Sequence, residues 1–265
     1  MKMTNPVLIF DIEAKFASFR KIDTNSSSLS YKFPPKTTIM GIIGAILGLE
    51  KDSYYNIMDN TFIGVRILQP SRSMFQSVNN VMIKHPSDLN FLKKGVSEEH
   101  TIVPIEILVP YDWNKKISFR IYYSDNEIDK VKNCKKLLKD GLVEYPVSLG
   151  YANMLANVIY IGESQLERLE NSKEILQVNS PLPLEGVENI EFNKSDFSQD
   201  DKNVLRLNKD LMPFSSIDGR RFRSRIYLFE ENGRAIPLRV KSGQDVYITY
   251  YLDHGEEVKD IICSL

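Results

Sequence analysis

Near its start this chain interleaves positive charge with aromatic rings. In KFASFRK, Lys15, Phe16, Phe19, Arg20 and Lys21 alternate cations with rings, and Tyr31 and Lys32 follow a serine-rich turn. Cations neutralise phosphates, and ring faces stack on splayed bases, each contact contributing roughly 1–3 kcal/mol. The same rings would also serve to cover a sheet edge, so both readings stand. Next comes PPKTTIMGIIGAILGL, where Lys36, Thr37 and Thr38 occupy a helix start. Free amides and the positive dipole end attract phosphate at such a place. GxxxxGK[ST] is absent, which excludes a nucleotide-binding P-loop and favours an unpaired phosphate backbone as ligand.

Gly41, Gly44 and Gly48 line one stripe of that helix together with Ala45. A glycine costs about 1 kcal/mol relative to alanine inside a helix, so three of them require a tertiary reason. Tight helix-on-sheet packing is the plain reason, and close approach of a ligand backbone is the alternative. Gly150, in PVSLGYANMLAN, opens a loop of Gly150, Tyr151 and Asn153 that suits either a ligand contact or an ordinary turn. SSIDGRRFRSR sets Arg220, Arg221, Arg223 and Arg225 around Phe222, as a solvated face, a phosphate clamp or a partner dock.

Catalytic constellations are scarce. His85, His100 and His254 show no metal-ligand spacing, and Asp11 and Glu13 share a strand face without a third ligand. No catalytic residue, cofactor or metal is therefore expected. Metal-free RNA cleavage needs a base, an acid and a cation, and Tyr31, Lys84 and His85 are the residues available for it.

The elements that must position these residues are legible from periodicity. PVLIFDIEA (6–14) predicts a strand, 39–49 a short buried helix, and 61–69 a second strand. Residues 70–101 read as polar and irregular. HTIVPIEILVPY and the strictly alternating ISFRIYY (117–123) return to strand chemistry, with a turn near Asp112 to Lys115. A lysine-faced amphipathic helix is expected over 126–140, capped by Gly141, and a strand over 155–161. With the insertion removed, the order is βαββαβ, the α+β, ferredoxin-like plan also used by RNA-recognition modules. Beyond residue 165 the chain reads as an acidic loop (185–201) followed by a small antiparallel, β-rich elaboration. Domain bounds of 1–165 and 166–265 follow from that change in character.

The 265 residues are 42% hydrophobic and 26% charged with a net charge of −1, so any nucleic-acid role must rest on local patches. The two cysteines, Cys134 and Cys263, lie far apart and suit a reducing interior. With no run of about 18 apolar residues and an early Asp11 and Glu13, a cytoplasmic protein without membrane contact is expected.

In this order the motifs resemble the CRISPR-associated Cas five family of the RAMP superfamily, in a form close to subtype I-B. FDIEAKFASFRK, YKFPPKTTIMGIIGAILGL, HTIVPIEILVP and PVSLGYANMLANV carry the likeness, over residues 6 to 162. The resemblance implies a type I Cascade subunit in antiviral defence whose palm grips the 5′ handle of the crRNA. It implies a thumb, here 70–101, packing on the adjacent backbone-forming subunit, and contact with the large subunit that reads the protospacer-adjacent motif. Carried over, Lys15 to Lys21, Tyr31, Lys36 to Thr38, Gly41 and Gly150 to Asn153 would line the handle site, with Arg72 and Lys84 on the thumb. A related branch, in subtype I-C, cuts the guide precursor with a tyrosine, a lysine and a histidine. Lys84 and His85 fall in the insertion, so binding rather than cleavage is expected. The alternatives are a metal-independent endoribonuclease and a scaffold that touches only protein.

Overall fold

The computed structural model describes residues 6–25, 27–81, 83, 85–90, 100–169, 174–192, 204–218 and 221–265. PVLIFDIEA forms β1 (Pro6–Ala14), with the bounds its pattern predicts. The basic-aromatic stretch folds into a minimal pair, β2 (Phe19–Arg20) and β3 (Ser30–Tyr31), joined through Phe19 and Tyr31. Helix α1 (Lys36–Leu47) starts three residues before the expected Ile39, because Pro35 supplies a fitting backbone for the turn. It stops at Gly48, whose φ of 74° and amide bond to the Gly44 carbonyl make a left-handed cap. A single turn, α2 (Tyr54–Ile57), leads into β4 (Phe62–Ile67).

Where an irregular segment was expected, β5 (Ser71–Val81) pairs residue for residue with β6 (His100–Pro110), from Ser71–Pro110 out to Val81–His100. The polar composition of β5 is overridden by the strong strand opposite it. β7 (Ile117–Ser124), α3 (Ile128–Lys139) and β8 (Asn157–Gln165) complete this half. The principal sheet runs β4–β7–β1–β8, every pair antiparallel. Without the hairpin, the succession is strand, helix, strand, strand, helix, strand, with β1 between β7 and β8.

Alternate residues of β1 explain the layers. Leu8, Phe10 and Ile12 face α1 and α3, burying Ile39, Ile43, Ile46, Val131, Cys134 and Leu138. Val7 and Ile9 face the other way, onto Tyr122, Leu166, Tyr251 and Ile262. The alternation of β7 predicts an outward face at Ser118, Arg120 and Tyr122, yet all of β7 is buried. The cover is the chain's last hairpin, and the polar side chains beneath it are paired. Arg120 donates to both Asp11 carboxylate oxygens at 2.7 and 2.8 Å and to the Tyr251 hydroxyl at 2.8 Å. Tyr122 and Tyr251 both donate to Asp260, which also pairs with Arg66 at 2.5 Å.

The rest of the chain is β-rich, as expected: β9 (Glu167–Arg168), β10 (Leu176–Val178), β11 (Leu182–Pro183), β12 (Val187–Ile190), β13 (Leu207–Asp218), β14 (Arg221–Glu230), β15 (Ile236–Val240), β16 (Val246–Asp253) and β17 (Glu256–Cys263). They form three three-stranded sheets, β10–β15–β12, β11–β14–β13 and β17–β16–β9. The acidic stretch read as a loop from residue 185 begins instead with a 3-10 turn and β12, which finds an edge on β15. Its residues 193–201 lie outside the described ones. Met212, Tyr227, Phe229 and Leu265 join the core beneath α1, so both halves share apolar contacts. No helix among the described residues is long and apolar enough to cross a membrane.

Candidate nucleic-acid interface

A cleft of about 510 Å³ opens between β2, one face of α1, α2 and the loop before β8. Its lining includes Phe19, Arg20, Thr37, Thr38, Gly41, Gly150 and Tyr151, so residues far apart in the chain converge there. Such a volume falls within the range of small-ligand sites, roughly 300–1,000 Å³. Tyr54, Tyr55 and Ser148 also line it and were missed from the sequence. The adjacent rings of SYYN were the available signal. Tyr54 and Tyr55 meet edge-to-face at 4.6 Å, and Phe222 of β14 packs on Tyr55 at 5.2 Å.

Backbone geometry explains the walls. The Ser18 amide donates to the Leu149 carbonyl at 2.8 Å, tying β2 to the far loop. Gly150 has φ 114°, and a Cβ there would sit 1.9 Å from the Ser18 carbonyl oxygen. Its glycine thus serves a close approach to the chain's own backbone. The glycine stripe of α1 is explained in the same way. A Cβ on Gly44 would come within 2.8 Å of the Tyr54 ring, and one on Gly41 within 3.3 Å of its hydroxyl. Small residues on α1 therefore seat the ring that becomes a cleft wall. No side chain caps the start of α1, and the Thr38 and Ile39 amides both return to the Pro35 carbonyl.

Several expected residues stand elsewhere. Tyr31 is buried in the core beneath the Lys21 ammonium, and burial pushes its hydroxyl up to about 12. That removes it from stacking and keeps its hydroxyl protonated. Lys36 is buried as well, with Nζ 3.2 Å from the Asp59 carbonyl oxygen. Desolvation lowers its pKa, partly offset by the Asp59 carboxylate, so it lines no phosphate site. Both are drawn in because flanking apolar residues, Phe33 and Ile39, enter the core. Lys21 pairs with Asp210 at 2.5 Å across to β13.

Lys15 and Phe16 leave the cleft for the β6–β7 turn, described below. Asn153 is exposed but outside the lining, and Arg72 stands exposed at the base of the β5–β6 hairpin. Arg221 is exposed on β14, and Arg223 lines a separate depression where Arg225 pairs with Glu185 at 3.0 Å. Lys84 and Arg220 lie outside the described residues. His85 lies beyond the end of β5, next to the 3-10 turn Pro86–Asp88. Among the described residues no group of three or more His, Cys, Asp or Glu could hold a metal ion.

A family model described as CRISPR-associated protein (Cas_Cas5) matches residues 7–222. A CRISPR protein from Archaeoglobus fulgidus, known from its crystal structure, is 14% identical over 98% of this chain and 99% of that one, at a TM-score of 0.51. A chain of a CRISPR RNA-guided surveillance complex is 12% identical, covering 90% and 95%, at 0.46. A chain of the Type III-B Cmr-beta complex bound to cognate target RNA is 15% identical, covering 88% and 86%, at 0.45. The first of these shows a shared fold, and the other two are too distant to add to it. No match is found among curated proteins. The family model spans most of the chain, and the chain belongs to the CRISPR-associated protein (Cas_Cas5) family.

Proposed function

We propose that this chain holds the 5′ handle of a crRNA within a Cascade-type complex, on a ferredoxin-like palm, and does not cut RNA. The observation that carries this reading is the convergence of Arg20, Thr37, Thr38, Tyr54, Tyr55, Gly150 and Tyr151 on one cleft. Arg20 supplies positive charge, the threonines supply hydroxyl donors, and the tyrosines offer faces and edges to unpaired bases. The strand order β4–β7–β1–β8 supports the ferredoxin-like assignment. The β5–β6 hairpin, with Phe75 65% and Ile102 64% exposed, is the thumb that packs on the backbone-forming subunit. The large subunit is the remaining partner, and the protein acts in the cytoplasm. A buried Tyr31 with a raised pKa favours binding over metal-independent cleavage.

The test is retention of crRNA by the reconstituted complex across a salt series. Arg20→Ala is expected to weaken retention and make its salt dependence shallower by roughly 0.7 in the log–log slope, the share of one phosphate contact on a single strand. Unchanged retention and slope would reject the cleft as the handle site.

A further inference from the structure

Lys15 and Phe16 are not stray residues of the cleft wall. The Lys15 ammonium donates to the Trp113 carbonyl at 2.7 Å and to the Lys115 carbonyl at 3.0 Å, capping the β6–β7 turn. Trp113, the single tryptophan of the chain, is 50% exposed on that turn. The Phe16 ring meets it edge-on at 6.5 Å, and the Arg72 guanidinium stands over it at 5.6 Å. Tyr111, two residues earlier, is also half exposed.

Three large rings, Phe16, Tyr111 and Trp113, exposed at one turn form the kind of patch that marks an interaction site. The charges identify the partner. Lys15 is satisfied by carbonyls rather than by a carboxylate, so its charge is not neutralised, and Lys115 is exposed beside it. Lys116 is matched by Glu13 at 3.2 Å, and Asp112 is the acidic residue of the turn. With Arg72 the patch keeps a positive excess around three exposed rings. Interleaved rings and an unneutralised positive charge complement stacked bases with intervening phosphates.

We infer that the Trp113 patch is a second stacking platform for unpaired nucleic acid, continuing the track of the strand held in the cleft. This rests on the cleft reading, because Lys15 and Phe16 open the segment whose Ser18, Phe19 and Arg20 form the cleft wall. The Ala17–Leu108 bridge fixes the two sites to each other, with bonds of 3.1 and 2.7 Å. The cleft wall and the patch thus belong to one continuous stretch, Lys15 to Arg20.

The single tryptophan makes the test direct. The full-length protein is titrated at low salt with a fluorescently labelled oligouridylate of about eight nucleotides, within the footprint of stacking grooves. Anisotropy reads binding anywhere on the protein, while tryptophan quenching reads the patch alone. Saturable quenching in step with anisotropy is expected. Trp113→Leu should weaken binding roughly 5- to 150-fold, the size of one stacking contact, with the thermal melt unchanged. Arg72→Ala should weaken binding and reduce quenching. Binding without quenching, and undiminished in Trp113→Leu, overturns the platform and spares the cleft. Quenching that persists with full affinity in Arg20→Ala spares the platform and overturns the cleft. No binding of the oligouridylate overturns the platform. So does a Trp113→Leu variant that binds RNA normally but no longer joins the complex, since the patch would then be a protein contact.

Discussion

Gly150 and Lys36 show how single residues acquire roles that their types alone do not declare. A side chain at Gly150 faces both a disfavoured φ of 114° and the Ser18 carbonyl. Gly150→Ala is expected to cost about 1–3 kcal/mol from conformation alone, with more from the displaced carbonyl. Urea denaturation reads the loss, and an unchanged midpoint would contradict it. Lys36 carries the opposite expectation. Its folded pKa lies below the usual lysine value because burial disfavours the ammonium. The unfolded chain therefore binds that proton more tightly, and stability rises as pH climbs from the folded value toward the ordinary one. Lys36→Met should remove that alkaline rise, while crRNA retention is unchanged. A loss of retention would return Lys36 to the interface. The sequence displayed cations and rings near residues 15–38 but not which ones the core would claim. Tyr31 is taken by Phe33 and its neighbours, whereas Tyr54 and Tyr55 become walls because Gly41 and Gly44 admit them.

At the scale of elements, the strap from Ala17 to Ser30 is held to the base of the β5–β6 hairpin. The Ser28 amide donates to Pro104 and the Glu106 amide to Ser28, and the Ser18 hydroxyl reaches the Glu106 carbonyl. Buried Glu106 accepts from the Ser30 amide at 2.9 Å and from the Ser73 hydroxyl, which in turn receives Lys32 at 2.6 Å. Glu106→Ala leaves those donors unmatched, at about 1–3 kcal/mol. Amide exchange at Ser28 and Ser30 should accelerate at least several-fold while β1 and β7 keep their protection. Equal protection would show that the carboxylate holds nothing. β1, β7 and α3 were legible because one period runs through each of them. β5 was not, since its pairing depends on a strand some twenty residues on. The buried outer face of β7 was not either, since its cover lies beyond residue 245.

Across the whole molecule, Asp260 joins the final hairpin to the principal sheet. Fully buried, it accepts from Tyr122 and Tyr251 and pairs with Arg66. Asp260→Ala strands two hydroxyls and a guanidinium beneath the sheet, and a loss of about 3–5 kcal/mol in urea unfolding is expected. A loss under about 1 kcal/mol, the usual worth of a surface pair, would mean that the hairpin is held by apolar contact alone. Sequence patterning reveals that the tail is β-rich but cannot reveal a pairing between residues 66, 122 and 260.

The cleft remains the feature on which the functional account stands. Ultraviolet cross-linking of crRNA in the assembled complex, followed by peptide mapping, tests it most directly. Cross-links are expected in peptides carrying Phe19, Tyr54 or Tyr55, and Tyr151. Cross-links confined to other peptides, such as the lysine-rich face of α3, with none in β2, α2 or the 146–151 loop, would contradict it.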